Sequence, residues 1–148
     1  MPRGGVTEGK RLGVRHASDG RPLPWVNATT RPFFEAARER RLVLQRCPRD
    51  GFFFYPRSRC PSCLGSDWTW QEVAPRGRVH SFTVDRVGHV PALRKVAPYA
   101  LAIVDLEAGP RMTARLVDCD PDAVKVGMPV VAAYEDVEGT TLVHFRPA

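Results

Sequence analysis

Cys47, Asp50, Cys60 and Cys63 are the residues of this chain whose types and spacing could do chemistry, within the run RCPRDGFFFYPRSRCPSC. They read C-x2-D-x9-C-x2-C, two short pairs of metal-binding side chains separated by a small loop. A chain builds a tetrahedral site from two turns in this way, and Pro48 and Pro61, each one place after the leading cysteine, bend the backbone into knuckles. Zinc in structural sites prefers thiolates and accepts a carboxylate oxygen, so three cysteines and an aspartate form an acceptable donor set. Asp50 stands where a fourth thiolate is expected. Three other readings stand beside the metal site. A disulfide between Cys60 and Cys63 requires an oxidising compartment, to which nothing in the sequence points. A redox C-x-x-C opens a helix in a thioredoxin-like unit, and no such unit surrounds this one. The third is a ribbon that has lost its metal and is held by Phe52, Phe53, Phe54, Trp68 and Trp70, because aromatic burial stabilises small hairpins. Cys119, far downstream in LVDCDPD, reads as an isolated cysteine.

The elements that must position these residues follow from local pattern. Thr30 and Pro32 open a helix through PFFEAARERRL that ends near Arg41, with Phe33, Ala36, Ala37 and Arg40 on one stripe. It is either a packing helix or a docking helix for a partner, with Phe33 and Phe34 as anchors. Residues 42–46, 52–55 and 68–73 read as three short strands around the two knuckles, the plan of a zinc ribbon. Strands this short are weak alone, which makes a metal clip physically reasonable.

After Pro75 and Gly77 the pattern turns to strands, at 78–84, 99–106, 111–117, 129–135 and 141–145. A helical turn is expected at 120–124, and Gly or Pro punctuates the breaks. The fold class expected is therefore mainly β: an N-terminal helix and zinc ribbon followed by a five-stranded OB-type barrel, with an SH3-like or other small barrel as the structural alternative. Residues 99–106 are apolar on both faces, as in a strand covered on both sides. The organisation expected is a mobile leader over 1–22, helix plus ribbon over 23–75, and the barrel over 76–148.

The 148 residues carry a net charge of +6, mostly from arginine, a balance that favours anionic partners. No run of about twenty apolar residues offers a membrane span, and the N-terminus lacks a secretory apolar region, so a cytoplasmic place is expected. His16, His80, His89 and His144 have no nucleophile motif beside them, and there is no P-loop or G-x-G-x-x-G. No catalytic residue is assigned. The long loop over 85–98 carries Arg86, His89, Arg94 and Lys95, which read as a solvated basic loop, a phosphate contact or a docking arm.

Taken together, PFFEAARERRLVLQRC, YPRSRCPSC, WTWQEVAPRGRVHSFTV, PYALAIVDLEAGPRMTARLVDCDPDAVKVGMPVVAAYED and TLVHFRPA resemble the DUF35 proteins. The resemblance covers about residues 23–148 and implies a rubredoxin-like zinc ribbon joined to an acyl-CoA-associated OB fold. It implies an accessory subunit of thiolase-superfamily proteins, including lipid-transfer-protein-like thiolases and aldolases acting on acyl-CoA or steroid-CoA thioesters. Archaeal relatives bridge a thiolase and a hydroxymethylglutaryl-CoA synthase. Actinobacterial ones can be fused to a MaoC-like hydratase and support retro-aldol cleavage of a steroid side chain. Cys47, Cys60 and Cys63 fall on the family's zinc-ligand positions, and Asp50 departs from them. The competing function is a nucleic-acid-binding protein, since a basic OB barrel plus a zinc ribbon suits that task. The strands at 99–106 and 111–117 lack the interleaved aromatic and basic residues that it uses.

Overall fold

A computed structural model describes residues 15–148. The leader expected over 1–22 lies outside the described residues as far as residue 14. From Arg15 onward the described residues form a small loop that packs on the barrel. Ala17 N–H donates to the Arg21 carbonyl and Leu23 N–H to the Arg15 carbonyl, both at 2.8 Å, closing a small loop at Gly20. Ala17 and Leu23 bury themselves against Val137 of the barrel, and Arg21 pairs with Glu135 at 2.8 Å. Two small apolar contacts and one ion pair, unremarkable in sequence, are enough to pin this segment.

Helix α1 spans Arg31–Arg38 and buries Phe33, Ala36 and Ala37. Thr30 does not cap it through its side chain, as the pattern suggested. Its hydroxyl turns back to accept from Asn27 N–H, while Asn27 Oδ1 accepts from the Thr29 and Thr30 amides. The helix ends three residues before Arg41 because Arg40 adopts φ 61, and the Arg40 and Arg41 amides close on the carbonyls of Ala37 and Ala36. β1 (Leu42–Cys47), β2 (Gly51–Phe53) and β3 (Thr69–Val73) then form an antiparallel sheet in the order β2-β1-β3.

β4 (Arg76–Asp85), β5 (Tyr99–Leu106), β6 (Arg111–Leu116), β7 (Pro129–Val137) and β8 (Thr140–Pro147) close a barrel in the order β4-β5-β6-β8-β7. The β6–β8 contact is parallel and the others antiparallel. This is the connectivity of the OB fold, with a 3-10 turn at Pro121–Ala123 where the helical turn is expected. Val79, Val104, Val130 and Phe145 are at most 1% exposed at its centre. Phe33, Leu42 and Leu44 belong to the same apolar cluster, so helix, ribbon and barrel share one continuous core.

On β5 the inner face (Ala100, Ala102, Val104) is buried, but Leu101 and Ile103 on the outer face remain 37% exposed. The second cover expected for this strand is not supplied by the described residues.

Arg40 reaches from the end of α1 to the β7–β8 hairpin and holds Asp136 with two hydrogen bonds, at 2.6 and 3.1 Å. Together with the Thr141 hydroxyl it draws the Asp136 carboxyl down to about 2. A carboxyl depressed in the folded state stabilises the fold above its ordinary pKa of about 4. That stability is lost as pH falls toward the folded value. Asp136→Asn is therefore expected to flatten the acid limb of stability between about pH 4 and 2, measured by urea midpoints across that range. An unchanged slope would show that the pair does not couple helix to hairpin.

Candidate metal centre

The first knuckle joins β1 to β2. β1 delivers Cys47 at its last position, 1% exposed, and Gly51 at φ 80 turns the chain back after Asp50. The second knuckle runs from Cys60 to Gly65. Cys60 N–H donates to the Gly65 carbonyl at 2.9 Å and Leu64 N–H to the Cys60 carbonyl at 3.0 Å. Leu64 takes φ 61 to complete that turn. Gly65 leaves little room, since a Cβ there would stand 2.9 Å from Asp67 Oδ1 and 3.3 Å from Cys63 Sγ.

Two devices hold the knuckles against each other. Gln45, 1% exposed on β1, donates from Nε2 to the Arg57 carbonyl and accepts the Arg57 amide, both at 2.8 Å. Burying that amide without partners would cost about 1–3 kcal/mol, so it acts as a clamp on the loop leading to Cys60. Alternation along 42–46 puts Gln45 on the face opposite Leu42 and Leu44 and gives no sign of this role. The second device is aromatic. Phe53 meets Trp68 edge-on at 6.4 Å, and Trp68 Nε1 donates to the Ser58 carbonyl at 3.0 Å. Both rings pack on Cys47 and Cys60.

The fold thus brings one donor atom from each of Cys47, Asp50, Cys60 and Cys63 within 4.8 Å of the others. Cys47 Sγ and Cys63 Sγ are 3.6 Å apart, and Asp50 Oδ2 is 3.4 Å from Cys47 Sγ and 3.3 Å from Cys60 Sγ. A tetrahedron built with metal–sulfur bonds of about 2.3 Å has edges of about 3.7 Å, close to these separations. The donor set fits a zinc-like ion. Hydrogen bonds from the Cys63, Cys60 and Cys47 thiols hold the Asp50 carboxyl below its usual range. The backbone amides of Cys63 and Ser62 favour the Cys60 thiolate, as knuckle amides do. The Gly65 amide does the same for Cys63, but Asp50, burial and the two other thiols outweigh it and push Cys63 up to about 11. Cys119, partly buried, stands outside the cluster, and all four cysteines are free thiols.

The other candidate residues do not gather at one place. Phe33 is 6% exposed and belongs to the core, so it is no protruding anchor; Phe34 meets it edge-on at 5.3 Å and is only partly buried. Arg86 is ion-paired with Asp122. His89 is exposed, with Nδ1 3.1 Å from Asp85. Arg94 and Lys95 are exposed farther along the same loop. Asp85 organises that loop: it accepts the amides of Val87, Gly88 and His89 and the Tyr99 hydroxyl. The Tyr99 hydroxyl and those amides hold its carboxyl far below the usual range.

Pattern reading also missed a groove and a polar cluster. Trp25 and Tyr55, each 50% exposed, flank a cavity of about 440 Å³ between α1, the ribbon and the barrel, floored by Phe34, Phe54, Met112 and Leu142. At its end His144 Nε2 lies 2.9 Å from Glu135, which also pairs with Arg21 at 2.8 Å and stands 3.7 Å from Arg115. Burial, outweighing Glu135, pushes the His144 imidazole down. Strand register and loop placement bring these residues together: Glu135 pairs with Leu142 on the same β7–β8 ladder that carries His144, and the loop at Gly20 delivers Arg21 from the far end of the chain. A local motif could not have signalled it.

Comparison with known proteins places both halves. Residues 34–69 match the family described as ChsH2, rubredoxin-like zinc ribbon domain, and residues 70–135 match ChsH2, C-terminal OB-fold domain. The chain is 32% identical over 111 residues to a DUF35 domain-containing scaffold protein of Methanothermobacter thermautotrophicus, covering 74% of this chain and 83% of that one. It is 39% identical over 130 residues to a probable enoyl-CoA hydratase alpha subunit of Thermomonospora curvata. That match covers 86% of this chain but 40% of the relative, so the chain spans less than half its length. A solved structure described as Ltp2-ChsH2(DUF35) aldolase superposes with a TM-score of 0.74 at 38% identity, covering 84% of this chain and 98% of that one.

Proposed function

This chain belongs to the DUF35 family of paired zinc-ribbon and OB-fold proteins, and from that premise we propose that it is a non-catalytic accessory subunit of a thiolase-superfamily or lipid-transfer-protein-like enzyme acting on acyl-CoA. The observation that carries the reading is the apolar groove between α1, ribbon and barrel, whose exposed Trp25 and Tyr55 are the kind of aromatic anchors that interfaces use. The 38% identity to the DUF35 chain of an aldolase supports it, and steroid side-chain thioesters undergoing retro-aldol cleavage are the substrate class we favour for the partner. The hydratase alpha subunits among its relatives are consistent with a MaoC-like hydratase as a further associate. Nucleophile and bases would belong to the enzyme partner, and the groove would shape the entrance to its acyl-CoA site.

Zinc, held by Cys47, Asp50, Cys60 and Cys63, would supply the ribbon with a structural clip. The chain's own residues orient those donors through Gln45, the knuckle amides and the Phe53–Trp68 pair. No helix among the described residues is long and apolar enough to cross a membrane. We place the protein in the cytoplasm, where thiols stay reduced.

A tagged chain recovered from native cytoplasm with nuclease present is expected to bring down a near-stoichiometric thiolase-like protein. Trp25→Asp should cut that recovery about tenfold or more, as loss of an interface hot spot does. Recovery of nucleic acid alone, lost on nuclease treatment, would instead favour an oligonucleotide-binding protein.

A further inference from the structure

The four donors at the knuckles are not equally placed. Cys47 and Cys60 are 1% exposed and lie against Phe53 and Trp68, so that wall of the site is dry. Asp50 is exposed, and the turn beside it is open: a Cβ added at Gly51 would meet nothing within 4 Å. Cys63 is partly buried, so the one oxygen donor is also the most exposed of the four. Thiolates bind zinc-like ions through soft, strongly donating sulfur, whereas a carboxylate oxygen is a harder and weaker donor to such ions that other oxygen or nitrogen ligands displace more readily.

We propose that Asp50 is the release point of the ribbon's metal. Three thiolates retain a borderline divalent ion such as zinc or cobalt, and the exposed carboxylate of Asp50 is the ligand that solvent or an incoming chelator displaces first. The site then exchanges its ion, where a four-thiolate ribbon of the same shape would hold it closed. Exchange begins when the Asp50 oxygen leaves the metal and an external oxygen or nitrogen donor takes the vacated position; charge and ligand count are preserved when a carboxylate replaces it. Departure of the Cys47 or Cys60 thiolate would be slower because Phe53 and Trp68 exclude water behind them, and the partly buried Cys63 is held by its stronger sulfur bond alone. This inference rests on the metal-site reading above.

The test uses the whole chain with cobalt(II) and zinc(II). Wild type loaded with cobalt under argon should show the d–d envelope of a three-sulfur, one-oxygen tetrahedron. Asp50→Cys should shift it and raise the sulfur-to-cobalt charge-transfer band by about one third, as three thiolates become four. Zinc transfer to 4-(2-pyridylazo)resorcinol should be slowed about ten- to hundredfold in Asp50→Cys, an effect at least that of altering a ligand's hydrogen-bond partner. Asp50→Asn, which keeps the shape but weakens the donor, should speed transfer and provides the second comparison if the cysteine variant fails to fold. Equal spectra and equal transfer rates in metal-loaded wild type and variants would overturn the proposal while leaving the metal site standing. Failure of wild type and Asp50→Cys alike to bind either ion, with far-UV circular dichroism intact, would overturn both.

Discussion

Gly77→Ala is expected to lower the melting temperature by about 6 °C or more, a large loss for one added methyl group. Gly77 is buried on β4 where that strand closes the barrel, paired with Leu106 of β5 on one side and Val130 of β7 on the other. A Cβ there would stand 2.2 Å from the Asp105 carbonyl oxygen, 2.9 Å from the Asp105 carbonyl carbon and 2.9 Å from Val104 Cγ1. Two of those atoms are backbone, so no rotamer change relieves the clash. β4 cannot move away from β5 without opening its pairing with β7. Overpacking costs about 1–3 kcal/mol where side chains can yield, and this site should reach or exceed the top of that range. In a protein of this size each kcal/mol lowers the melting temperature by about 2–4 °C. A drop below about 2 °C would show that the barrel seam is looser than the register implies.

The second large effect concerns the ribbon. Cys60→Ser should reduce bound zinc from about one equivalent to near zero, because serine oxygen is a far weaker donor than thiolate and the knuckle then loses its dry-wall ligand. The loss should spread along the Phe53–Trp68 contact and shift the tryptophan emission. It should stop short of the barrel, because β1 is anchored at its other end by Leu42 and Leu44 in the shared core. The expected result is a chain that keeps cooperative barrel melting, loses metal and binds its enzyme partner less tightly. Cys119→Ser, outside the cluster, is the control and should keep its zinc. Zinc retained by Cys60→Ser at the wild-type stoichiometry would refute the assignment of the second knuckle.

Both predictions separate what neighbouring residues specify from what distant ones do. The knuckles were legible because a metal pair, its proline and its turning residue lie within a few positions, and spacing alone aims the donors. The barrel strands were legible for a similar reason, since alternation and turn residues are local, but strand number and length also suited other small barrels, and the OB order comes from the pairing of β6 with β8. Asp50 illustrates the limit. Its presence at a ligand position was plain from spacing, but its exposure beside buried cysteines, on which exchange depends, is a property of the packed ribbon.

The tertiary structure alone decided the rest. Gln45 became a buried clamp only because the Arg57 backbone folds over β1, and Phe33 became core only because α1 lies across the barrel. Residues 15–22 were read as part of a mobile leader because few of their side chains are large and apolar, yet the β7–β8 hairpin presents Val137, Glu135 and Glu138 to this segment and to Leu23. Glu135, His144, Arg21 and Arg115 meet through strand register and loop placement, as do the walls of the apolar groove. By itself the sequence determined the elements, the donor set and the family. Which side chains face one another across a hundred residues depends on register and on a core that helix, ribbon and barrel build jointly, and these take shape only when the chain closes on itself.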